Sequence, residues 1–145
     1  MPVTAKWYGQ AVIKAFNKEV KWETDTIKVL LCTSAYAPNQ DAHVYKNQIT
    51  NEVANGNGYA TGGVILANKT SAYDGATNTV KFDADDIVWL AASVTARYAV
   101  IYVDTGNSAT SVLLGYVDFD KDVVSTDGDF RIVWNALGIL SATVG

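Results

Sequence analysis

The sequence predicts a mainly β protein, an antiparallel β-sandwich or flattened barrel with one short N-terminal helix. Three observations carry that expectation. Short runs rich in β-branched and aromatic residues recur along the chain. Asn55-Gly56, Asn57-Gly58, Asp74-Gly75 and Asp127-Gly128, pairs suited to positive backbone φ, punctuate them. Helical spacing occurs once, close to the N-terminus.

The helix is predicted from Tyr8, Ala11, Val12, Ala15 and Phe16, which fall on one face at i, i+3, i+4, i+7 and i+8. Trp7 and Trp22 flank it. Ile27 to Thr33 reads as a strand covered on both faces, because its run is apolar without alternation. Thr79 to Ala84 alternates Val80 and Phe82 against Lys81 and Asp83, a half-buried pattern. In Thr95 to Val103, Tyr98, Val100 and Tyr102 point one way while Arg97, Ala99 and Ile101 point the other. Val112 to Phe119, Asp129 to Trp134 and Ile139 to Val144 complete the strand set. Two stretches fit neither period: residues 34–63, expected as a long loop, and the acidic piece Asp118 to Asp129.

At 145 residues and 49% apolar composition, the chain suits one domain, residues 1–145, and excludes a disordered tail. A net charge of −4 argues against phosphate-directed binding of nucleic acid. The apolar runs are strand-length, too short for a membrane span, and no secretory signal follows Met1. Cys32 lies inside Val29-Leu30-Leu31-Cys32 and reads as a buried, reduced thiol.

Candidate chemistry is sparse. Asp104-Thr105-Gly106 after an apolar strand has the local form of an aspartic protease motif. That chemistry needs two carboxylates sharing a proton, and Leu113-Leu114-Gly115 follows too soon to build the second half. Asp118, Asp120, Asp122, Asp127 and Asp129 suggest calcium. An EF-hand counted from Asp118 would place Val123 where glycine is required. His43 is the single imidazole, and no nucleophile elbow or phosphate loop occurs. The expectation is a non-enzyme without cofactor or metal. Aromatics are the remaining resource: most fill strand patterns, while Trp7, Tyr36, Tyr45 and Tyr59 fall outside them and are candidates for an interface or for stacking on sugars.

One further reading comes from resemblance. Lys6-Trp7-Tyr8-Gly9-Gln10-Ala11, Phe16-Asn17-Lys18-Glu19, Asp25-Thr26-Ile27-Lys28-Val29 and Leu31-Cys32-Thr33-Ser34-Ala35-Tyr36 resemble a family of small tailed-bacteriophage virion structural proteins. The likeness continues through Asn51-Glu52-Val53, Gly58-Tyr59, Gly62-Gly63, Asp83-Ala84-Asp85-Asp86, Thr95 to Tyr102, Gly115 to Phe119, Ile132-Val133-Trp134 and Gly138-Ile139, nearly the whole chain. Where relatives carry an acid on either side of the second tryptophan, this chain has Lys21 and Glu23. The resemblance implies a capsid decoration (cement) protein, made in the host bacterial cytoplasm and carried in the virion. Its implied partner is the major capsid protein or another virion protein, with a homotrimer one arrangement. A tail-tip or tail-fibre component, or a carbohydrate-binding host-attachment module, is the alternative. No nucleic acid or membrane partner is expected. Contacts are expected from an extended arm, residues 1–7, and from the loop 34–63, with Trp7, Tyr8, Tyr36, His43, Tyr45 and Tyr59 as contact residues.

Overall fold

The fold was read from a computed structural model that describes residues 2–145. Its elements run β1 (Lys6–Trp7), α1 (Gly9–Phe16), β2 (Ile27–Cys32), a 3-10 turn (Lys46–Gln48), β3 (Val64–Ile65), β4 (Thr70–Asp74), β5 (Thr79–Asp83), β6 (Ile87–Val103), β7 (Leu113–Ile132) and β8 (Leu140–Thr143). The strands form two antiparallel sheets, ordered β1-β7-β6-β2-β3 and β4-β5-β8. The mainly β fold and the N-terminal helix match expectation.

Alternation in β6 sorts side chains between two cores. Ala99, Ile101 and Val103 join Ile27, Val29, Leu31, Ile139 and Leu140 in the larger cluster, against which Phe82 of the second sheet packs. Val100 and Tyr102 point the opposite way, into a smaller cluster with Tyr8, Leu30, Cys32, Tyr36 and Leu113. Both faces of the five-stranded sheet are therefore dry at its centre, as the unbroken apolar run of β2 demands.

The segment that covers the second face is the loop expected to make partner contacts. Residues 34–63 are laced onto the body: the Leu113 N–H donates to the Val44 carbonyl at 2.9 Å, Lys46 N–H to Ser111 at 2.9 Å and Val53 N–H to Leu31 at 2.9 Å. Gly63 ends it with φ +80°, tight against β2; a Cβ there would collide with the Val29 carbonyl.

The N-terminal arm is likewise built in. Val3 N–H donates to Val133 at 2.8 Å and Ala5 N–H to Ile139 at 2.7 Å, and Lys6–Trp7 pair with Tyr116 and Gly115. Instead of a free arm, this segment is tied to the body, by an isolated bridge from Val3 to Trp134 and by the edge strand Lys6–Trp7. Met1 lies outside the described residues.

The acidic stretch is also corrected, from an irregular link between two strands to the middle of one. Between the pairs Ala96↔Val123 and Tyr98↔Asp118, β6 advances two residues and β7 five, a wide bulge. Asp120 occupies it with φ 65°, its N–H held by Asp118 Oδ1 at 2.8 Å. Further register shifts flank Ala91 (φ 48°) and Asp127 (φ 46°). Each bulge resets the alternation, which is why strand periodicity fades between 87–94 and 118–129.

Candidate functional site

Three of the six expected contact residues are interior. Tyr8, Tyr36 and Tyr59 are almost completely buried. The reason is that each hydroxyl finds a partner inside, so the ring can be buried without an orphaned polar atom. Tyr8 and Tyr36 hydroxyls meet at 2.8 Å, and Tyr36 meets His43 Nδ1 at 2.9 Å. The Tyr59 hydroxyl donates to Glu52 at 2.7 Å and accepts the Leu31 N–H at 3.0 Å. Burial raises the pKa of all three phenols, that of Tyr36 to about 12. These tyrosines are corrected from contact residues to struts.

Trp7, His43 and Tyr45 are half-buried. Trp7 donates its indole N–H to the Ser141 carbonyl at 2.7 Å and sets its ring edge-on to Phe82. With Ala15, Val20, Trp22 and Leu140 it lines an apolar cavity of about 90 Å³. Tyr45 lies under the Lys14 ammonium, 5.1 Å from the ring centre. His43 stacks on Tyr36, and partial burial lowers its pKa. These side chains tie the cover loop and β1 to the body.

What faces solvent instead is the wider apolar side of α1. Ala11 is its one buried residue, whereas Val12, Ile13 and Phe16 stand out, Phe16 at 85% exposure. The predicted face splits: the helix seats on alanine, and its larger apolar residues occupy an outward arc of about 100°. A left-handed Lys18 (φ 67°) closes the helix, with Glu19 N–H bonded to the Lys14 carbonyl and Lys18 N–H to Ala15. That double bond fixes the turn beside Phe16. Lys6, Lys18 and Lys21 flank the helix in sequence without an ion pair among the described residues, while Lys14 pairs with Glu19 at 3.3 Å.

The bulge of β7 opens a second feature, a groove of about 550 Å³. Pro2, Val3, Phe119, Val123, Phe130 and Ile132 form its apolar part, and Asp118, Asp120, Lys121 and Arg131 its polar edge. Arg97 answers Asp118 with Nε to Oδ1 at 2.6 Å, and Arg131 approaches Asp129 at 3.6 Å. Asp120 and Lys121 complete the polar edge without an ion pair among the described residues.

The groups singled out for chemistry have structural work. Asp104 pairs with Lys28 at 2.9 Å and accepts the Gly106 N–H at 3.0 Å, contacts that hold its carboxyl below the usual range. The Arg97 guanidinium does the same for Asp118. Burial pushes the Cys32 thiol up to about 12, with Glu52 adding to the effect, far from a reactive thiolate. No group of three or more His, Cys, Asp or Glu that could hold a metal occurs among the described residues. No helix among them is long and apolar enough to cross a membrane.

Comparison with protein-family models, with curated proteins and with solved structures finds no match.

Proposed function

We propose that this protein is a structural component of a tailed-phage particle, a capsid decoration protein that binds the assembled head shell. The sequence resemblance, which runs through nearly the whole chain, suggests the particle. The observation that carries an adhesive role is the orientation of the side chains. Groups with chemical potential (Asp104, Asp118, Cys32 and the buried tyrosines) are tied into structural contacts, while one helix turns its bulk apolar residues outward. Such a body offers shape and adhesion. A sheet dry on both faces at its centre also suits a clamp, because few of its internal contacts loosen before the whole domain opens.

Cement works through multiplicity. One copy binds weakly, and neighbours already fixed to the shell raise the effective concentration for each further contact. The test is to purify particles, separate heads from tails and assay each fraction for this chain by mass spectrometry. Heads should carry it, and shells stripped of it should break at lower temperature than shells to which it is added back. Recovery in the tail fraction alone would replace the shell with the tail as its site, and absence from particles would overturn the proposal.

A further inference from the structure

His43, Tyr36 and Tyr8 form a chain of hydrogen bonds that runs from a half-buried imidazole on the cover loop to a buried phenol at the start of α1. We propose that this chain is an acid-released latch: protonation of His43 frees residues 36–43 from the body and opens the smaller core, while the larger core stays closed.

The geometry assigns each proton in the chain. Nδ1 of His43 faces two groups, the Tyr36 hydroxyl at 2.9 Å and, at the longer distance of 3.4 Å, the Asn39 N–H. A backbone N–H can only donate, so Nδ1 is an acceptor and the ring proton sits on Nε2. Tyr36 therefore donates to His43, and its oxygen accepts the Tyr8 hydroxyl proton at 2.8 Å. Neutral His43 ends a chain in which each hydroxyl donates once.

A proton on Nδ1 breaks this order. The new N–H points at the Asn39 N–H and at the Tyr36 hydroxyl. If Tyr36 turns to accept it and donates to Tyr8, the Tyr8 proton has no acceptor. Tyr8 is completely buried, and Tyr36 is the sole hydrogen-bond partner of its hydroxyl among the described residues. If Tyr36 accepts from both neighbours, its own proton is orphaned instead. Either way one buried donor is left unsatisfied, which favours a state in which the loop has moved out to water.

No charged group competes for the ring. Tyr8, leading into α1, and Tyr36 pack on His43; Tyr98 of β6 packs on Tyr36, Tyr116 of β7 on Tyr8, and Cys32 of β2 acts on both buried phenols. Phenols and a thiol gain no charge on acidification. No carboxylate pairs with His43 among the described residues, and Asp41, two positions away, is exposed. Partial burial lowers the pKa of His43, the direction that keeps the latch closed at neutral pH. Apart from this chain, Gln40 alone bonds residues 36–43 to β1 and α1: its carbonyl accepts the Gly9 N–H at 2.9 Å and its side chain donates to the Trp7 carbonyl at 2.7 Å. So short a list of ties suits local opening. The inference does not depend on the particle assignment, because the isolated chain must show the release.

Cys32 supplies the readout, because it lies in the smaller core with Tyr8 and Tyr36 and is fully buried. Its rate of labelling by dithiodipyridine, divided by the rate for the urea-unfolded chain at the same pH, measures how often the latch opens. In the open state His43 has an ordinary pKa of about 6.5, so acidification from pH 7.5 to 5 should raise this ratio at least about fivefold and at most about 30-fold. Amide exchange at Ile101 and Val117 of the larger core should stay slow at pH 5, which separates release from global unfolding. His43→Gln, whose amide oxygen still accepts the Tyr36 proton and does not titrate, should give a flat profile. Tyr36→Phe should label faster at pH 7.5 and lose most of the acid response. Should Tyr36→Phe not fold, nitrogen NMR of wild-type His43 tests the same chain: Nδ1 should be bare and Nε2 protonated at pH 7.5. A ring proton on Nδ1, a wild-type ratio that does not rise in acid, or an equal rise in His43→Gln would overturn the proposal.

Discussion

Replacing Tyr59 by Phe removes one oxygen and breaks two contacts at once. The hydroxyl donates to Glu52 at 2.7 Å and accepts the Leu31 N–H at 3.0 Å, on the side of β2 facing the cover loop. The ring itself keeps its place against Trp89, 6.0 Å away, so packing is little changed. A hydrogen bond to an ionised acceptor contributes about 1.5–3 kcal/mol, and a buried N–H left without an acceptor costs about 1–3 kcal/mol. Allowing for partial relaxation and for the 2.7 Å bond from Gly62 N–H that Glu52 retains, the expected loss is about 3 kcal/mol. For a domain of this size that corresponds to a fall of roughly 6–12 °C in Tm. Urea unfolding followed by tryptophan fluorescence should show a lower midpoint at unchanged m-value. Tyr73→Phe is the control: Tyr73 is exposed and bonded to Asn78 at 3.0 Å, so its change should stay within about 0.5 kcal/mol. A Tyr59→Phe loss below about 1 kcal/mol would refute the strut argument, because water or a shifted loop would then be replacing the hydroxyl.

Two further outcomes follow from the same reading. Partial burial holds the folded His43 below its ordinary 6.5, so between 6.5 and the lowered value the unfolded chain binds the extra proton. Stability should therefore fall as pH drops through that window, and the urea midpoint of His43→Gln should lack this component; a parallel decline in both would exclude His43 as its source. At Gly63, Ala would place its Cβ on the Val29 carbonyl at a φ of +80°, so soluble expression should collapse, a loss above about 4 kcal/mol. Gly56→Ala, with open space around it, should cost only about 1–3 kcal/mol from backbone strain, as read by thermal melting.

The sequence revealed strands wherever alternation or a continuous apolar run survived. Ile27–Cys32 and Thr79–Asp83 were legible because their registers are regular along the paired length. The first half of β6 and the middle of β7 were not, because extra residues at Ala91, Asp120 and Asp127 shift the phase of alternation. Nothing local distinguishes a bulged acidic strand from a loop; the partner strand decides. β4 was missed for another reason. Four of its five residues are exposed, so burial writes no pattern into Thr70–Asp74.

The contact residues were misread through polarity. A tyrosine outside a strand pattern invites placement at an interface, since its ring is apolar and its tip is wet. Tyr36 and Tyr59 instead satisfy their tips with His43, Tyr8, Glu52 and the backbone, partners scattered from residue 8 to residue 52 and joined only by the fold.

The helix was misread through size. Hydrophobic periodicity weighs Val12 and Phe16 above Ala11 and Ala15, so it aims the large residues inward. Close approach to the sheet favours the small ones. Tyr8 leads into α1 by donating its N–H to the Leu114 carbonyl at 3.0 Å, and Gly9 N–H donates to Gln40 at 2.9 Å. Two such bonds hold the first turn close to the body, where a small side chain fits. Ala11 takes that position, and the bulk of the apolar arc is turned to the outside. The same constraint that ties the N-terminus into the sheet thus leaves Val12, Ile13 and Phe16 exposed. Loosening the tether should let the helix roll: Gln40→Ala, which removes the 2.7 Å bond from the Gln40 side chain to the Trp7 carbonyl, should lower the exposure of Phe16 as well as the stability of β1. An unchanged hydrogen-exchange pattern across residues 6–16 in that variant would show that Ala11 packing alone sets the helix, and would remove the tether from this account.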